Sequence, residues 1–239
     1  MIQVEHLTKR YGKFTAVADV SLTVHQGEVY ALLGPNGSGK TSTLKTIVGL
    51  NIPTMGRVLV NGLNTQEHPK VTLQLLSYLP QRVVFPENQT AREILKFYCR
   101  IRKLPLEGSN DALERARFNG FSDKPVGEFS GGMIQRLGLA VLSLADAPIL
   151  VLDEPTANLD PQGVKRFREF ILSQKEMGKT IIFSTHLLAE AEQLADRVGI
   201  FVSGRLVADE SVENLQRTHL TTQTIEDLYL HYVGSKENE

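Results

Sequence analysis

GEVYALLGPNGSGKTS, residues 27–42, is the stretch that decides the fold. Val29 to Leu33 form a continuous apolar run, as expected of a strand buried on both faces. Gly34-Pro35-Asn36-Gly37-Ser38-Gly39-Lys40-Thr41 then fits GxxxxGK[ST] at every fixed position. In that pattern the glycines let backbone N–H groups turn inward around β- and γ-phosphates, and the following helix adds its positive N-terminus. Lys40 places a point charge on the phosphoryl group in transfer, and Thr41 offers a hydroxyl to Mg²⁺. A plain glycine turn is the alternative, but the strand before and the helix after supply the context a phosphate loop requires.

Upstream, Val17, Val20, Leu22 and Val24 recur among polar residues and predict strands, with turns at Gly12-Lys13 and Gln26-Gly27. Downstream, a helix is expected over 41–50, ending near Gly49, then a short strand over 58–60 that closes on an Asn61-Gly62 turn. Another strand is expected over 75–79. From about 88 to 147 the pattern is helical, with Ile94, Leu95, Tyr98 and Ile101 on one face. Strands resume at 149–153 and 180–184, and a helix follows Asp160-Pro161. A helix over 187–196, two short strands around Ser203-Gly204 and an amphipathic helix over 224–233 complete the chain. Alternating strands and helices imply an α/β fold with a mostly parallel sheet. An N-terminal antiparallel β subdomain precedes it, and an α-helical subdomain is inserted at about 88–147. No internal repeat is present, so each element occurs once.

Chemistry gathers at the strand ends. ILVLDEP, residues 149–155, carries Asp153 and Glu154 to the C-terminal edge of the sheet, where ligands bind in such folds. Asp153 suits the Mg²⁺ shell, linked to Thr41 through the ion or water. Glu154 suits orienting and deprotonating an attacking water, against the bland reading of a strand-end acid in solvent. His186, in FSTH, could hydrogen-bond a γ-phosphate or simply cap the next helix. Gln81, in YLPQR, could be a neutral ligand sensing Mg²⁺ and the γ-phosphate. Tyr11, in KRYG, could stack on a base or be a strand residue at a turn.

The 239 residues are 41% hydrophobic and 22% charged, enough apolar material for a core without staples. The net charge of −1 gives no general attraction to nucleic acid or to an anionic membrane. The single cysteine, Cys99, rules out an internal disulfide framework, fits a reducing compartment, and reads as a buried helix residue rather than a reactive thiol. MIQVEHLTKRY lacks the charged head and apolar run of a secretory signal. The most apolar window, 137–152, is broken by Asp146 and Pro148 and falls short of a ~20-residue span.

Tyr11, GPNGSGKT, Gln81, FSGGM (129–133), ILVLDEP, NLD (158–160) and His186 occur in this order. Together they resemble the ATP-binding subunit of ABC transporters, in its export or multidrug subgroup. The resemblance implies a P-loop NTPase core over 1–217 and a helical tail over 218–239. It implies that Tyr11 stacks on adenine, and that the loop from Gly34 to Thr41, with Ser42, binds the nucleotide. Gln81 would open the loop facing a membrane subunit and join Thr41 and Asp153 at Mg²⁺, and His186 would be the switch histidine. Lys40, Gln81, Glu154 and His186 make up the implied catalytic set. Asn158, Leu159 and Asp160 would cross a dimer interface. Ser130, Gly131 and Gly132 would contact ATP held by the other subunit, a role that fits uncovered backbone N–H groups at the start of a helix expected near Met133. The segment departs from the commoner LSGGQ at Phe129, a tolerated apolar change, and at Met133. Met133 either removes a hydrogen bond across the interface or fills the helical core.

The implied function is Mg-ATP hydrolysis at a head-to-tail homodimer, driving a separate integral membrane permease from the cytoplasmic face of the inner or plasma membrane. No nucleic acid partner is expected. One alternative is a soluble ABC-type ATPase of assembly, repair or translation, although the long coiled coils, zinc insertions and doubled ATPase halves of such proteins are missing from this sequence. Another is the ATPase of a copper/nitrous oxide reductase maturation transporter, which residues 78–95 resemble in a general way. A third class, a module that senses ATP without hydrolysing it, is opposed by the presence together of Lys40, Asp153, Glu154 and His186.

Overall fold

The computed structural model describes residues 1–118, 120–157, 159–214 and 229; Asn158 and, apart from Tyr229, the helix expected over 224–233 lie outside them. The chain begins with β1 (Ile2–Tyr11), β2 (Phe14–Val24) and β3 (Val29–Leu33), followed by α1 (Lys40–Ile47). Next come β4 (Met55–Val60), β5 (Leu63–Asn64), α2 (Pro69–Gln74) and β6 (Leu76–Leu79). The inserted helices are α3 (Ala91–Ile101), α4 (Gly108–Arg115), a short 3₁₀ turn at Val126–Glu128, and α5 (Gly131–Ser143). The core resumes with β7 (Ile149–Asp153), α6 (Pro161–Glu176), β8 (Thr180–Thr185), α7 (Leu188–Leu194), β9 (Arg197–Val202) and β10 (Arg205–Ser211).

One sheet is antiparallel, in the order β2-β1-β4-β5. The other runs β10-β9-β3-β8-β7-β6, with β10 antiparallel and every other neighbouring pair parallel. This order sets β3, β8, β7 and β6 side by side, so their C-terminal ends share one edge. Apolar runs carry these strands because both sheet faces are covered. Val29, Ala31 and Leu33 pack with Phe167 and Ile171 of α6 and Leu194 of α7. Tyr30 and Leu32 pack on the opposite face with Leu44 and Ile47 of α1 and with Ile2 and Val4 of β1. Each fully buried Val, Leu, Ile or Phe side chain among these contributes about 1.5–3 kcal/mol. A third cluster, with Ile94, Leu95, Phe118, Leu137 and Val141, is the core of the helical insert.

The differences from expectation are local. α1 stops at Ile47, because Gly49 takes φ 74° and ends the helix at a left-handed residue. β4 starts at Met55 rather than at 58, and α7 is shorter than 187–196. α2 was not foreseen, although Pro69 opens it in the position proline favours. The buried stripe of α3 runs through Ala91, Ile94, Leu95 and Cys99, whereas Ile101, expected on it, is 61% exposed. Thr90 and Glu93 form a capping box that starts this helix. α5 begins at Gly131, two residues before the expected start, because Ser130 is its N-cap and accepts the Met133 N–H.

Candidate active site

The phosphate loop joins β3 to α1 and is braced from three sides. Gly34 N–H donates to the Thr185 carbonyl at 3.3 Å, and Gly204 N–H donates to the Ser38 carbonyl at 2.9 Å. The Gly204 carbonyl in turn accepts Ala18 N–H at 2.7 Å, so the β9–β10 turn ties the loop to β2. Gly39 adopts φ 104°, and a Cβ there would lie 2.5 Å from the Ala16 carbonyl oxygen. Both the turn and the close approach therefore require glycine at that position. Pro35 and Ser38 close the loop through a Ser38 N–H to Pro35 carbonyl bond of 3.2 Å, while Asn36 and Gly37 are exposed at its tip. Ser42, in the first turn of α1, is half-buried.

Lys40 is 4% exposed, and its ammonium donates to the carbonyls of Gly34 at 2.7 Å and Pro35 at 3.0 Å. It also lies 3.5 Å from Glu154 Oε1. Burial pulls its proton affinity below the ordinary lysine value, an effect that the charges of Glu154 and Asp153 oppose. Thr41 Oγ1 donates directly to Asp153 Oδ1 at 2.9 Å, where a link through an ion or water was expected. Ser184 Oγ donates to the same Asp153 oxygen at 2.8 Å and accepts Glu154 N–H at 2.9 Å. Burial raises the Asp153 carboxyl above its usual range, and the two hydroxyls work against that rise.

Glu154, 7% exposed, is the hub of the site. Its Oε2 accepts Gln81 Nε2 at 3.1 Å and lies 3.6 Å from His186 Nδ1, while its other oxygen faces Lys40. Its φ of 43° is a left-handed conformation that costs a non-glycine residue roughly 1–3 kcal/mol, the kind of strain concentrated at functional sites. Lys40, Thr41, Gln81, Asp153, Glu154 and His186 are thus brought together from four neighbouring strand ends. Glu154 is no strand-end acid in solvent.

The remaining expected residues lie apart from this hub. Tyr11, half-exposed at the end of β1, accepts Asn51 Nδ2 on its hydroxyl at 2.8 Å, and the Lys9 ammonium lies 4.9 Å from its ring centre. Ser130, Gly131 and Gly132 line one end of a groove of about 930 Å³ between α4, α5 and α6. Among the described residues no hydrogen bond or ion pair joins them to Lys40 or Glu154. Leu159 lies beside Gly132, and Asp160 caps α6 by accepting Gly163 N–H at 2.6 Å. Met133 is half-buried and packs on the core of the helical insert as well as lining the groove. Met133→Gln should therefore leave ATP affinity within about threefold and lower stability by about 1 kcal/mol, the usual scale for such a change. Nucleotide titration and thermal melting of this variant check both.

Three contributors escaped sequence reading. Ser184 organises both acids, although the only signal is a hydroxyl at the end of an apolar strand. Gln135 is buried on α5 and donates to the Pro155 carbonyl at 2.9 Å, tying the Ser130 helix to the segment after Glu154. Gly138 lets α5 lie against β6, since a Cβ there would stand 2.8 Å from Leu79 Cδ1 and 3.1 Å from Val83 Cγ2. Val83 packs against both the sheet core and the helical core, so the Gln81 loop forms the seam between them.

Comparison with known proteins agrees with this geometry. A family profile described as ABC transporter matches residues 17–157. The bacitracin transport ATP-binding protein of Bacillus licheniformis is 38% identical over 219 residues, which cover 91% of this chain and 72% of that protein. A solved structure of an ATP-binding subunit of an ABC transporter is similar with a TM-score of 0.87 and 29% identity, covering 97% of this chain and 98% of that one. A dimeric structure of a bacterial ABC transporter cassette is similar with a TM-score of 0.81 and 25% identity, covering 89% and 99% respectively. A braced phosphate loop, two acids at the end of the neighbouring strand and these likenesses lead to one conclusion: the chain belongs to the ABC transporter family, among its ATP-binding subunits.

Proposed function

We propose that two copies of this chain, placed head to tail, enclose ATP between the phosphate loop of one and the Ser130–Gly132 segment of the other. The observation that carries this reading is the separation of the two anion-binding surfaces within one chain. Lys40 and the start of α1 lie at the sheet edge, and Ser130 with the start of α5 lies on the insert. Each occurs once, so a second chain completes each site. The dimeric form of the similar cassette supports this arrangement. ATP then acts as the adhesive of the dimer, and hydrolysis releases it.

Within each site the roles follow from charge and position. Phosphate oxygens displace the two loop carbonyls from Lys40, because a full negative charge makes the stronger hydrogen bond. Glu154 orients and deprotonates the attacking water, His186 holds the γ-phosphate from the adjacent strand end, and Gln81 reports its presence to the seam with the insert. Tyr11 supplies a ring for the adenine, and Leu159 and Asp160 face the partner chain across the dimer interface.

The residues also suit Mg²⁺, which requires hard oxygen donors and few protein ligands. Thr41 Oγ1, the Gln81 amide oxygen and Asp153 would hold it, and Asp153 Oδ2 is buried without a hydrogen-bond partner among the described residues. When bound, the ion would neutralise charge on the phosphates. Chelation with EDTA should abolish steady-state ATP turnover, and added Mg²⁺ should restore it. Turnover that persists in excess chelator counts against this set.

Among the described residues no helix is long and apolar enough to cross a membrane. We assign the work of transport to a separate permease, docked at the insert and the Gln81 loop on the cytoplasmic face of the inner or plasma membrane. The likeness to a bacitracin transport protein supports this over a soluble assembly, repair or translation factor. Purification of the tagged chain from detergent-solubilised membranes tests the reading. Recovery of an integral membrane protein that alters ATP turnover is expected, and an active ATPase recovered alone would favour the soluble alternative.

A further inference from the structure

His186 makes no hydrogen bond of its own among the described residues, since its contact to Glu154 at 3.6 Å exceeds hydrogen-bond range. Its aim is therefore set by the backbone turn that carries it, between β8 and α7. Beneath that turn lies Glu190, in the first turn of α7 and only 2% exposed. A carboxylate so enclosed is costly unless it is partnered. Glu190 Oε2 accepts the Thr185 hydroxyl at 2.9 Å, while Oε1 has no hydrogen-bond partner among the described residues. The same Thr185 oxygen accepts the Leu187 N–H at 3.0 Å, on the far side of His186. Thr185 also presents its carbonyl to Gly34 N–H, at the first residue of the phosphate loop.

The donor arrangement fixes this chain of contacts. Thr185 Oγ1 donates its proton to Glu190 Oε2, which leaves a lone pair on that hydroxyl oxygen for Leu187 N–H. Glu190 thereby locks one rotamer of Thr185, and Thr185 locks the turn on both sides of His186.

We propose that Glu190 is a positioning residue for His186, acting through Thr185 to hold the imidazole beside Glu154 and to tie its turn to the phosphate loop. This rests on the reading of His186 as the group that holds the γ-phosphate.

Three substitutions in the full-length chain test it by steady-state ATPase kinetics. Glu190→Met keeps the length of the side chain, suits an apolar surrounding and removes the acceptor. Thr185→Val removes the hydroxyl at constant shape. Glu190→Gln retains an acceptor oxygen. Glu190→Met and Thr185→Val should each lower kcat by about tenfold, the scale of one lost buried hydrogen bond. The KM for ATP should stay within about twofold, because Lys40 and the phosphate-loop N–H groups, which these variants leave in place, dominate binding in the ground state. The double variant should be no slower than either single one, since both break the same contact. Glu190→Gln should stay within about threefold of the parent, as a neutral acceptor replaces a charged one. Parent-like kcat in Glu190→Met overturns the proposal, and so do losses that multiply in the double variant. If Glu190→Met does not fold, the other two decide: a slow Thr185→Val beside a near-parental Glu190→Gln supports the relay, and a parent-like Thr185→Val overturns it. His186→Ala separates the two readings. Retained turnover in His186→Ala removes the role of the histidine itself, whereas its loss alongside a parent-like Glu190→Met removes only that of Glu190.

Discussion

Glu154→Gln is expected to lower steady-state ATP turnover by roughly 10²-fold or more, the range of lost general-base catalysis, while leaving ATP bound in a stable dimer. The amide keeps the size of the carboxylate and can still accept from Gln81 on its oxygen, so the site should retain its shape. It cannot take a proton from water. Removing the charge leaves the Lys40 ammonium, 4% exposed and 3.5 Å away, without its carboxylate, so the nucleotide-free variant should melt earlier than the parent. Retained ATP binding with lost turnover would separate chemistry from folding. Size-exclusion chromatography with ATP reads the second half of the expectation. A variant that hydrolyses ATP at the parental rate would place the base elsewhere, and one that stays monomeric with ATP would count against the head-to-tail site.

Lys40→Ala should lose nucleotide binding or turnover altogether, because no other residue at the loop supplies a positive charge. Its ammonium is buried between two loop carbonyls and Glu154, and truncation removes all three contacts at once. Affinity for ATP should fall at least tenfold, since one charge-assisted contact to phosphate has about that value. Fluorescence titration with a labelled nucleotide measures the binding, and phosphate release measures the turnover. Stability should fall as well, since Glu154 is left a buried acid with a neutral amide and an imidazole as its neighbours. Parental activity in this variant would refute the phosphate-loop assignment.

The two variants divide the site as its geometry does. Lys40 belongs to a loop whose backbone conformation is locally encoded by glycines, so its place can be read from eight consecutive letters. Glu154 also sits in a readable motif, yet its surroundings come from Gln81 after β6 and from Ser184 and His186 at the end of β8. Motif and strand end pointed to Lys40, Thr41, Asp153 and Glu154, whereas Gln81 and His186 stayed open until the resemblance was drawn and Ser184 was missed. The direct bond between Thr41 and Asp153, and the strain at Glu154, were not legible, because neither distance nor φ is written in a motif.

What the sequence determined by itself is therefore whatever has a local physical cause. Apolar runs too continuous for one wet face require a doubly covered sheet. GxxxxGK[ST] between a strand and a helix requires a phosphate loop, and Asp160-Pro161 starts a helix by capping it. Even the small errors are local, as at Ile101, where helical periodicity continues past the end of the buried stripe. Only the tertiary structure decided the rest. It chose the strand order β3-β8-β7-β6, and so which loops meet at one edge. It set Gln135 against Pro155, Gly204 against Ser38 and Glu190 against Thr185. These bonds join residues through the packing of separate elements, and a buried donor is satisfied by whichever acceptor the fold brings within reach. The identity of that acceptor leaves no mark on the neighbouring sequence.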